Sequence, residues 1–169
     1  MIIRPGKPSD SIRVTEIMNP IIRDTTISFK REEWTIDDAE ALVSGSPAFF
    51  VGEVEGRVQG FAYFDQFRKA SGYDRAMEQS VMLAPEARGT GMGKALVAEL
   101  EREAQRQGKG SLWGAISAEN QAGVAFHASL GFEKIAVLPR VGFKFGRWLD
   151  LVLMQKWIAE EGDDPKGSD

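Results

Sequence analysis

The sequence contains no cysteine. Disulfides, thiolate metal sites and cysteine nucleophiles are therefore excluded. A single histidine, His127, excludes a multi-histidine metal site or proton relay. No run approaches the roughly 20 apolar residues that a membrane-spanning helix requires. The opening MIIRPGKPSD reaches Arg4 and Pro5 before an apolar export segment forms, so a cytosolic (cytoplasmic) chain with no membrane partner is expected. A basic excess is lacking too: 21 Lys and Arg against 25 Asp and Glu leave a net charge of −4. That argues against a nucleic-acid partner, while leaving room for a local basic pocket. The aromatic run from Phe143 to Trp148, with Lys144 and Arg147 interleaved, has no wider basic stripe around it.

What remains is ordinary globular composition: 169 residues, 43% hydrophobic and 27% charged. Such a chain closes one core without staples. A single domain is expected over 1–159, with a disordered acidic tail over 160–169. Residues 2–4 read as a first strand. A helix follows Pro8-Ser9-Asp10, with Ile12, Val14, Ile17 and Met18 as its apolar positions and Pro20 interrupting or ending it. Residues 24–29 read as a loop. Thr35 is placed to cap a second helix, with Asp37 and Asp38 in its first turn and Gly45-Ser46-Pro47 at its end. Strands over 48–54 and 58–64 flank the turn signal Glu55-Gly56-Arg57. After a loop over 67–74, a strand over 75–83 leads into Ala84-Pro85. The strongest helix is 91–107, where Leu96, Val97, Leu100 and Ala104 form one stripe and Gly108 follows. A strand over 111–116, a short helix over 121–130 closed by Gly131, and strands over 132–138 and 149–157 complete the chain. Helices and strands are mixed, so the class is α/β or α+β.

The most informative segment is Arg88-Gly89-Thr90-Gly91-Met92-Gly93-Lys94, between a strand and a helix. Its glycines let a ligand approach the backbone and expose successive N–H groups. The helix start adds the positive end of its dipole, and Arg88 and Lys94 add charge. This chemistry suits a pyrophosphate. Spacing excludes two familiar phosphate loops. A Walker A loop needs glycine where Arg88 stands and Ser or Thr where Ala95 stands. A dinucleotide fingerprint, G-x-G-x-x-G, needs its third glycine one residue beyond Gly93. A plain glycine-rich turn is the alternative, and three glycines plus an arginine are more than a turn needs.

The pattern that does fit is R-x-x-G-x-G/A, through Arg88, Gly91 and Gly93. Downstream, Ala118-Glu119-Asn120-Gln121-Ala122, then Phe126-His127 and Leu130-Gly131-Phe132, is similar to N-x-x-A…Y…L-G-F. In this order the two motifs resemble the acyl-CoA loop and following segment of the GNAT N-acetyltransferases. A finer resemblance covers about 2–157. Thr25-Thr26, Phe29, Phe67-Arg68, Ser71-Gly72-Tyr73, Glu78-Gln79-Ser80-Val81 and residues 141–150 resemble the phosphinothricin acetyltransferase branch. That branch includes enzymes acting on methionine sulfoximine and methionine sulfone. The resemblance implies a GNAT fold, α/β (α+β), with a bent mixed central sheet splayed in the middle and flanked by helices. It also implies acetyl-CoA in the splay, a homodimer, and no metal.

Residue roles follow from the same resemblance, each beside a plainer reading. Glu78 would be the general base, because an amine must lose a proton to attack a thioester. A carboxylate inside an apolar strand also needs a reason; the plain reading is an ion-paired or solvent-facing side chain. His127 stands where most GNAT proteins carry Tyr, and this branch carries His. It would protonate the CoA thiolate, or else simply pack against the core. Asn120 would bond the pantetheine chain, and it also suits a helix cap. Met82, Leu83 and Ala84 would offer backbone groups to the CoA arm, as an added strand does. Phe126 falls with the cofactor-binding residues, and Arg88, Gly89, Thr90, Gly91, Met92, Gly93 and Lys94 would hold the pyrophosphate. Phe29, Arg68, Tyr73, Arg75, Lys144 and Trp148 lie in segments that shape the branch's acceptor pocket. Arg68 first and Arg75 second would grip a substrate carboxylate. The aromatic members also suit a core or an interface.

The reading is an acetyl-CoA-dependent N-acetyltransferase for a small amino-acid-like amine, working by direct transfer in a ternary complex. Backbone N–H groups near Leu83 would steady the oxyanion. Other acceptors are a polyamine, an aminoglycoside or a protein N-terminus; the other class is an acyl-CoA-binding regulator without catalysis. Cationic acceptors call for an acidic pocket, against Arg68, Arg75 and Lys144. A regulator would lack the base that Glu78 supplies.

Overall fold

A computed structural model describes residues 1–159; the tail expected over 160–169 lies outside the described residues. The elements run β1 (Ile2–Pro5), α1 (Ser11–Asp24), α2 (Ile36–Gly45), β2 (Ala48–Val54), β3 (Arg57–Gln66), β4 (Ala76–Leu83), α3 (Met92–Arg106), β5 (Ser111–Ser117), α4 (Gln121–Ser129), β6 (Glu133–Lys144) and β7 (Arg147–Trp157).

Helix α1 buries Val14, Ile17, Met18, Ile21 and Ile22 along one stripe. It runs through Pro20 to Asp24 rather than ending there. Proline removes one hydrogen bond to the carbonyl four residues back, that of Glu16. Pro20 and Glu16 both lie on the exposed side, where water can take that carbonyl, and Ile21 and Ile22 hold the last turn on the core. Ile12, expected in the stripe, is instead 58% exposed. Helix α2 begins as expected: the Thr35 hydroxyl accepts the Asp38 N–H at 3.1 Å, and the Asp38 carboxylate accepts the Thr35 N–H at 2.8 Å. This reciprocal pair satisfies two otherwise unpaired donors.

The seven strands form one sheet in the order β1-β2-β3-β4-β5-β7-β6. Every pairing is antiparallel except β4 with β5, which α3 joins by a crossover. β6 is longer than the 132–138 expected, and with β7 it forms a hairpin turned at Phe145 and Gly146, both at positive φ. Pro139 hid that continuation. Proline is tolerated here because β6 is the sheet edge and slips register between Leu138 and Gly142.

The parallel pairing of β4 with β5 covers only Ala76↔Ser111 through Gln79↔Gly114. Beyond that rung β4 continues to Leu83 and β5 to Ser117 without pairing, so the sheet splays at its centre. Side chains of β4 alternate across the sheet. Met77, Val81 and Leu83 pack into the core shared with Leu96 and Leu100 of α3 and Phe126 of α4. Met82 packs on the other side with Val14 and Ile17 of α1 and Phe61 of β3. Gln79 therefore belongs to the α3/α4 face, and Glu78 and Ser80 to the α1/α2 face.

Candidate active site

The opened edge of β4 can be assigned atom by atom. Ala84 N–H donates to Gln59 O at 2.8 Å and Phe67 N–H donates to Ala76 O at 2.9 Å, so even-numbered residues turn their backbone groups toward β3. Arg75 O accepts from Gly110 N–H at 2.9 Å on the opposite side. By alternation, Val81 and Leu83 present N–H and C=O to the splay. Leu83 thus turns its backbone groups to the splay. Met82 and Ala84 do not: their backbone groups face β3, and the Ala84 carbonyl also accepts from Ala87 N–H at 3.0 Å. Val81 takes their place at the edge.

Past the strand, Gly91 sits at φ +88, a conformation that other residues reach only with strain, and opens α3. The first bond of the helix runs from Ala95 N–H to Gly91 O at 3.0 Å. The N–H groups of Met92, Gly93 and Lys94 therefore have no helical acceptor and point out of the helix start. The Thr90 hydroxyl donates to Ala87 O at 2.7 Å and braces the turn. Arg88, Gly89, Thr90 and Lys94 are exposed, whereas the Met92 side chain is fully buried and offers only its backbone. Gly93 lies against the Phe126 ring, where an added Cβ would come within 3.1 Å. The arrangement is that of an anion cradle.

Two clefts adjoin this edge. A narrow one of about 60 Å³ fills the splay, between Gln79–Met82 and Gly114–Ile116, with Ile27, Asn120 and His127 on its walls. A wider one of about 410 Å³ lies between α1 and the end of β4 and reaches Leu83, Ala84 and Arg88.

Glu78 is half-buried beside the last rungs, opposite Asp65 on β3 and Trp113 on β5. Burial alone pushes its carboxyl above the usual range, and no ion pair compensates it among the described residues. Tyr63, near Ser80 and Glu78, is likewise held high by burial. An aromatic wall stands beside the same row: Phe67 stacks on Trp113 at 4.9 Å and Tyr73 leans on Phe67 at 6.3 Å. Tyr63 and Trp113 were not identified from the sequence; each reads there as an ordinary strand aromatic.

His127 is 6% exposed and held between the edges of Phe126 and Phe132. Its Nδ1 lies 2.8 Å from Gly123 O, and its Nε2 lies 2.6 Å from Nε2 of Gln79. A carbonyl oxygen only accepts, so Nδ1 carries the hydrogen and Nε2 accepts from the Gln79 amide. Burial lowers the pKa of the ring, which favours this neutral form. A ring so held has no proton on Nε2 to give. Asn120 caps a helix as its plainer reading expects. Its Oδ1 caps α4 by accepting from Gly123 N–H at 2.9 Å, and the residue also lines the narrow cleft.

The acceptor residues divide. Phe29 is half-buried, its ring against Gly142 of β6. Arg68 and Arg75 are exposed, with no ion-pair partner among the described residues. Trp148 is 61% exposed and packs edge-on against Phe143. Lys144 has a different task from the substrate contact expected of it. It is 2% exposed, and its Nζ donates to Ile22 O, Thr25 O and Ser28 O at 2.6, 2.7 and 2.7 Å. It closes the C-terminal end of α1 and ties the loop carrying Ile27 and Phe29 to the β6–β7 hairpin. Burial lowers its pKa. Among the described residues no cluster of metal-ligating side chains occurs, and no helix is long and apolar enough to cross a membrane.

A strand that abandons its neighbour, a helix start rich in free N–H groups and a carboxylate at the opening are the parts of an acyl-CoA-dependent amine acetyltransferase. Residues 15–132 match the Acetyltransferase (GNAT) family, and the chain belongs to that family, whose chemistry here is N-acetyl transfer from acetyl-CoA. It is 36% identical to the L-methionine sulfoximine/L-methionine sulfone acetyltransferase of Salmonella typhimurium, over 95% of this chain and 96% of that one. It is also 36% identical to the phosphinothricin N-acetyltransferase of Alcaligenes faecalis, over 91% of this chain and 81% of that one. The crystal structure of a GNAT superfamily phosphinothricin acetyltransferase from Sinorhizobium meliloti, in complex with acetyl-CoA, superposes with a TM-score of 0.90 at 30% identity. The match covers 99% of this chain and 93% of that one.

Proposed function

We propose that the protein acetylates the α-amino group of a small amino-acid-like substrate of the phosphinothricin, methionine sulfoximine or methionine sulfone type. Transfer is direct, within a ternary complex. The observation that carries this reading is Glu78, a half-buried carboxylate without an ion pair among the described residues, raised by burial, at the closed end of the splay. Glu78 takes the ammonium proton, directly or through water, and frees the amine to attack the thioester. The N–H group of Val81, the first free one beyond the last rung, steadies the carbonyl oxygen as it gains charge. The free N–H groups at the start of α3, with Arg88, hold the pyrophosphate. His127 supplies no proton, and a thiol with a pKa near ~8.5 leaves as the thiolate. We assign the substrate carboxylate to the exposed guanidiniums of Arg68 and Arg75, which lie outside the lining of both clefts. The names of the two relatives support the substrate class.

The active form is a homodimer in this reading. Val141, Phe143, Phe145 and Trp148 stand exposed on the β6–β7 hairpin, at an open sheet edge. An apolar strip on a free edge calls for a partner, and a second copy is the one we assign. Light scattering is expected to give the mass of two chains, and Trp148→Glu the mass of one.

The activity test is thiol release from acetyl-CoA with phosphinothricin, methionine sulfoximine, methionine sulfone, spermidine and a short peptide amine as acceptors. Turnover confined to the first three supports the proposal. Turnover only on spermidine or the peptide overturns the acceptor assignment and leaves the acetyl-CoA site standing.

A further inference from the structure

Gln79 occupies the last rung joining β4 to β5, at the floor of the splay. Its side chain is 4% exposed and lines the narrow cleft. Its Nε2 donates to His127 at 2.6 Å, while its Oε1 is buried without a partner among the described residues. A buried acceptor left unmet is costly and calls for an explanation.

The orientation of this amide is forced by the chain of bonds behind it. Gly123 O fixes the hydrogen of His127 on Nδ1, which leaves a lone pair on Nε2. Facing a lone pair, Gln79 must present its NH2 and turn Oε1 away. Turning the amide over would set oxygen against nitrogen with no hydrogen between them. Phe126 and Phe132, each 5.2 Å from the imidazole, keep the ring from rotating. Gly114 across the rung leaves room for the pair, since a Cβ there would lie 3.3 Å from His127 Cδ2 and 3.5 Å from Gln79 Nε2.

We propose that Gln79 Oε1 accepts the amide N–H of the acyl-carrying arm of acetyl-CoA, the one nearest the thioester, and that His127 is the positioning residue that keeps Oε1 turned toward it. The inference rests on the acetyl-CoA reading above. Two observations select this donor over the substrate amine. Gln79 lies on the α3/α4 face, with Asn120 and the start of α3, whereas the carboxylate awaiting the amine lies on the other face. The last closed rung also sets the depth of the splay, so the thioester of an inserted arm stops by that rung and the amide two methylenes behind it comes within reach of the Gln79 side chain.

The probes are CoA and a CoA analogue with an ester oxygen in place of the amide N–H nearest the thiol. Affinity is read by titration calorimetry on the full chain. The unsubstituted protein is expected to bind the ester analogue about tenfold more weakly, the worth of one hydrogen bond. Gln79→Leu is expected to weaken CoA by about the same factor and to leave the ester analogue within about twofold. Equal affinities for the two ligands in the unsubstituted protein overturn the proposal, as does an equal loss for both in Gln79→Leu. Binding of neither ligand overturns the acetyl-CoA reading itself. The orientation has a readout that needs neither ligand nor substitution. Because the chain has one histidine, its imidazole nitrogen NMR signals belong to His127 alone. A hydrogen on Nδ1 and a bare Nε2 are expected near neutral pH; a hydrogen on Nε2 overturns the assignment.

Discussion

The two faces of β4 treat neighbouring polar residues in opposite ways. On the α1/α2 face, Glu78 is half-buried and unpaired, and burial raises its pKa. On the α3/α4 face, His127 is bonded at both ring nitrogens and burial lowers its pKa. Both groups are desolvated, yet only one is free to change its protonation state at little structural cost. A proton acceptor must be desolvated enough to want a proton and unconstrained enough to take it. Glu78 meets both conditions. His127 meets the first and fails the second, which suits it to holding a neighbour in place.

The largest expected effect tests that contrast at Glu78. Glu78→Gln is expected to lower kcat by about 10²–10³-fold, the usual worth of a positioned base, with acetyl-CoA affinity unchanged. The pH profile carries a sign. The base works only when ionised, so kcat/KM rises with pH through the Glu78 pKa, and that limb lies above the ordinary carboxylate value because burial raises it. The stability sign is the reverse. A carboxyl whose folded pKa is raised loses stability as pH climbs toward that pKa, so Gln at this position is expected to hold or raise Tm near neutral pH. A joint fall in kcat and Tm would mean that Glu78 is a structural group.

A smaller effect, on stability rather than chemistry, is expected at Lys144. Lys144→Met removes three charge-assisted bonds and leaves carbonyls of Ile22, Thr25 and Ser28 unmet. A loss of about 3 kcal/mol is expected in urea unfolding. Any remaining folded protein should lose acceptor affinity more than acetyl-CoA affinity, since the loop freed is the one carrying Phe29. A change confined to KM, with stability intact, would return Lys144 to the substrate contact read from the sequence.

The legible parts of this molecule were those with local signatures. The Thr35 cap, the Gly91 helix start and the Glu55-Gly56 turn each announce themselves within a few residues, and the motif around Arg88 names its ligand by resemblance. What escaped was set by distant partners. Pro20 stays helical because its stripe continues in Ile21 and Ile22 and its lost bond faces water, which the residue before it does not foretell. Lys144 reads as a free cation until α1 brings three carbonyls to it across 116 or more positions of chain. The resemblance places Met82 and Ala84 against the CoA arm, but strand parity, set by β3, decides which backbone groups face the splay. Gln79 is an unremarked amide until His127, 48 positions on, fixes which way it points.

The smallest expected effect separates the backbone share of the pyrophosphate cradle from its formal charge. Arg88 is exposed at the loop's first position, while the N–H groups of Met92, Gly93 and Lys94 are fixed by the helix behind them. An exposed cation facing a solvated anion is screened and holds its side chain loosely, so it contributes little. Arg88→Ala is therefore expected to raise the KM for acetyl-CoA only about threefold at low salt. The difference should fade as ionic strength rises and the Debye length shrinks from about 10 Å toward 3 Å. Backbone donors carry no side-chain entropy cost and no net charge, so the affinity that survives in high salt measures their share. A loss of tenfold or more that persists at high salt would show that Arg88 is held against the phosphate in a water-poor setting. The glycine loop would then be a scaffold for the guanidinium rather than the cradle itself.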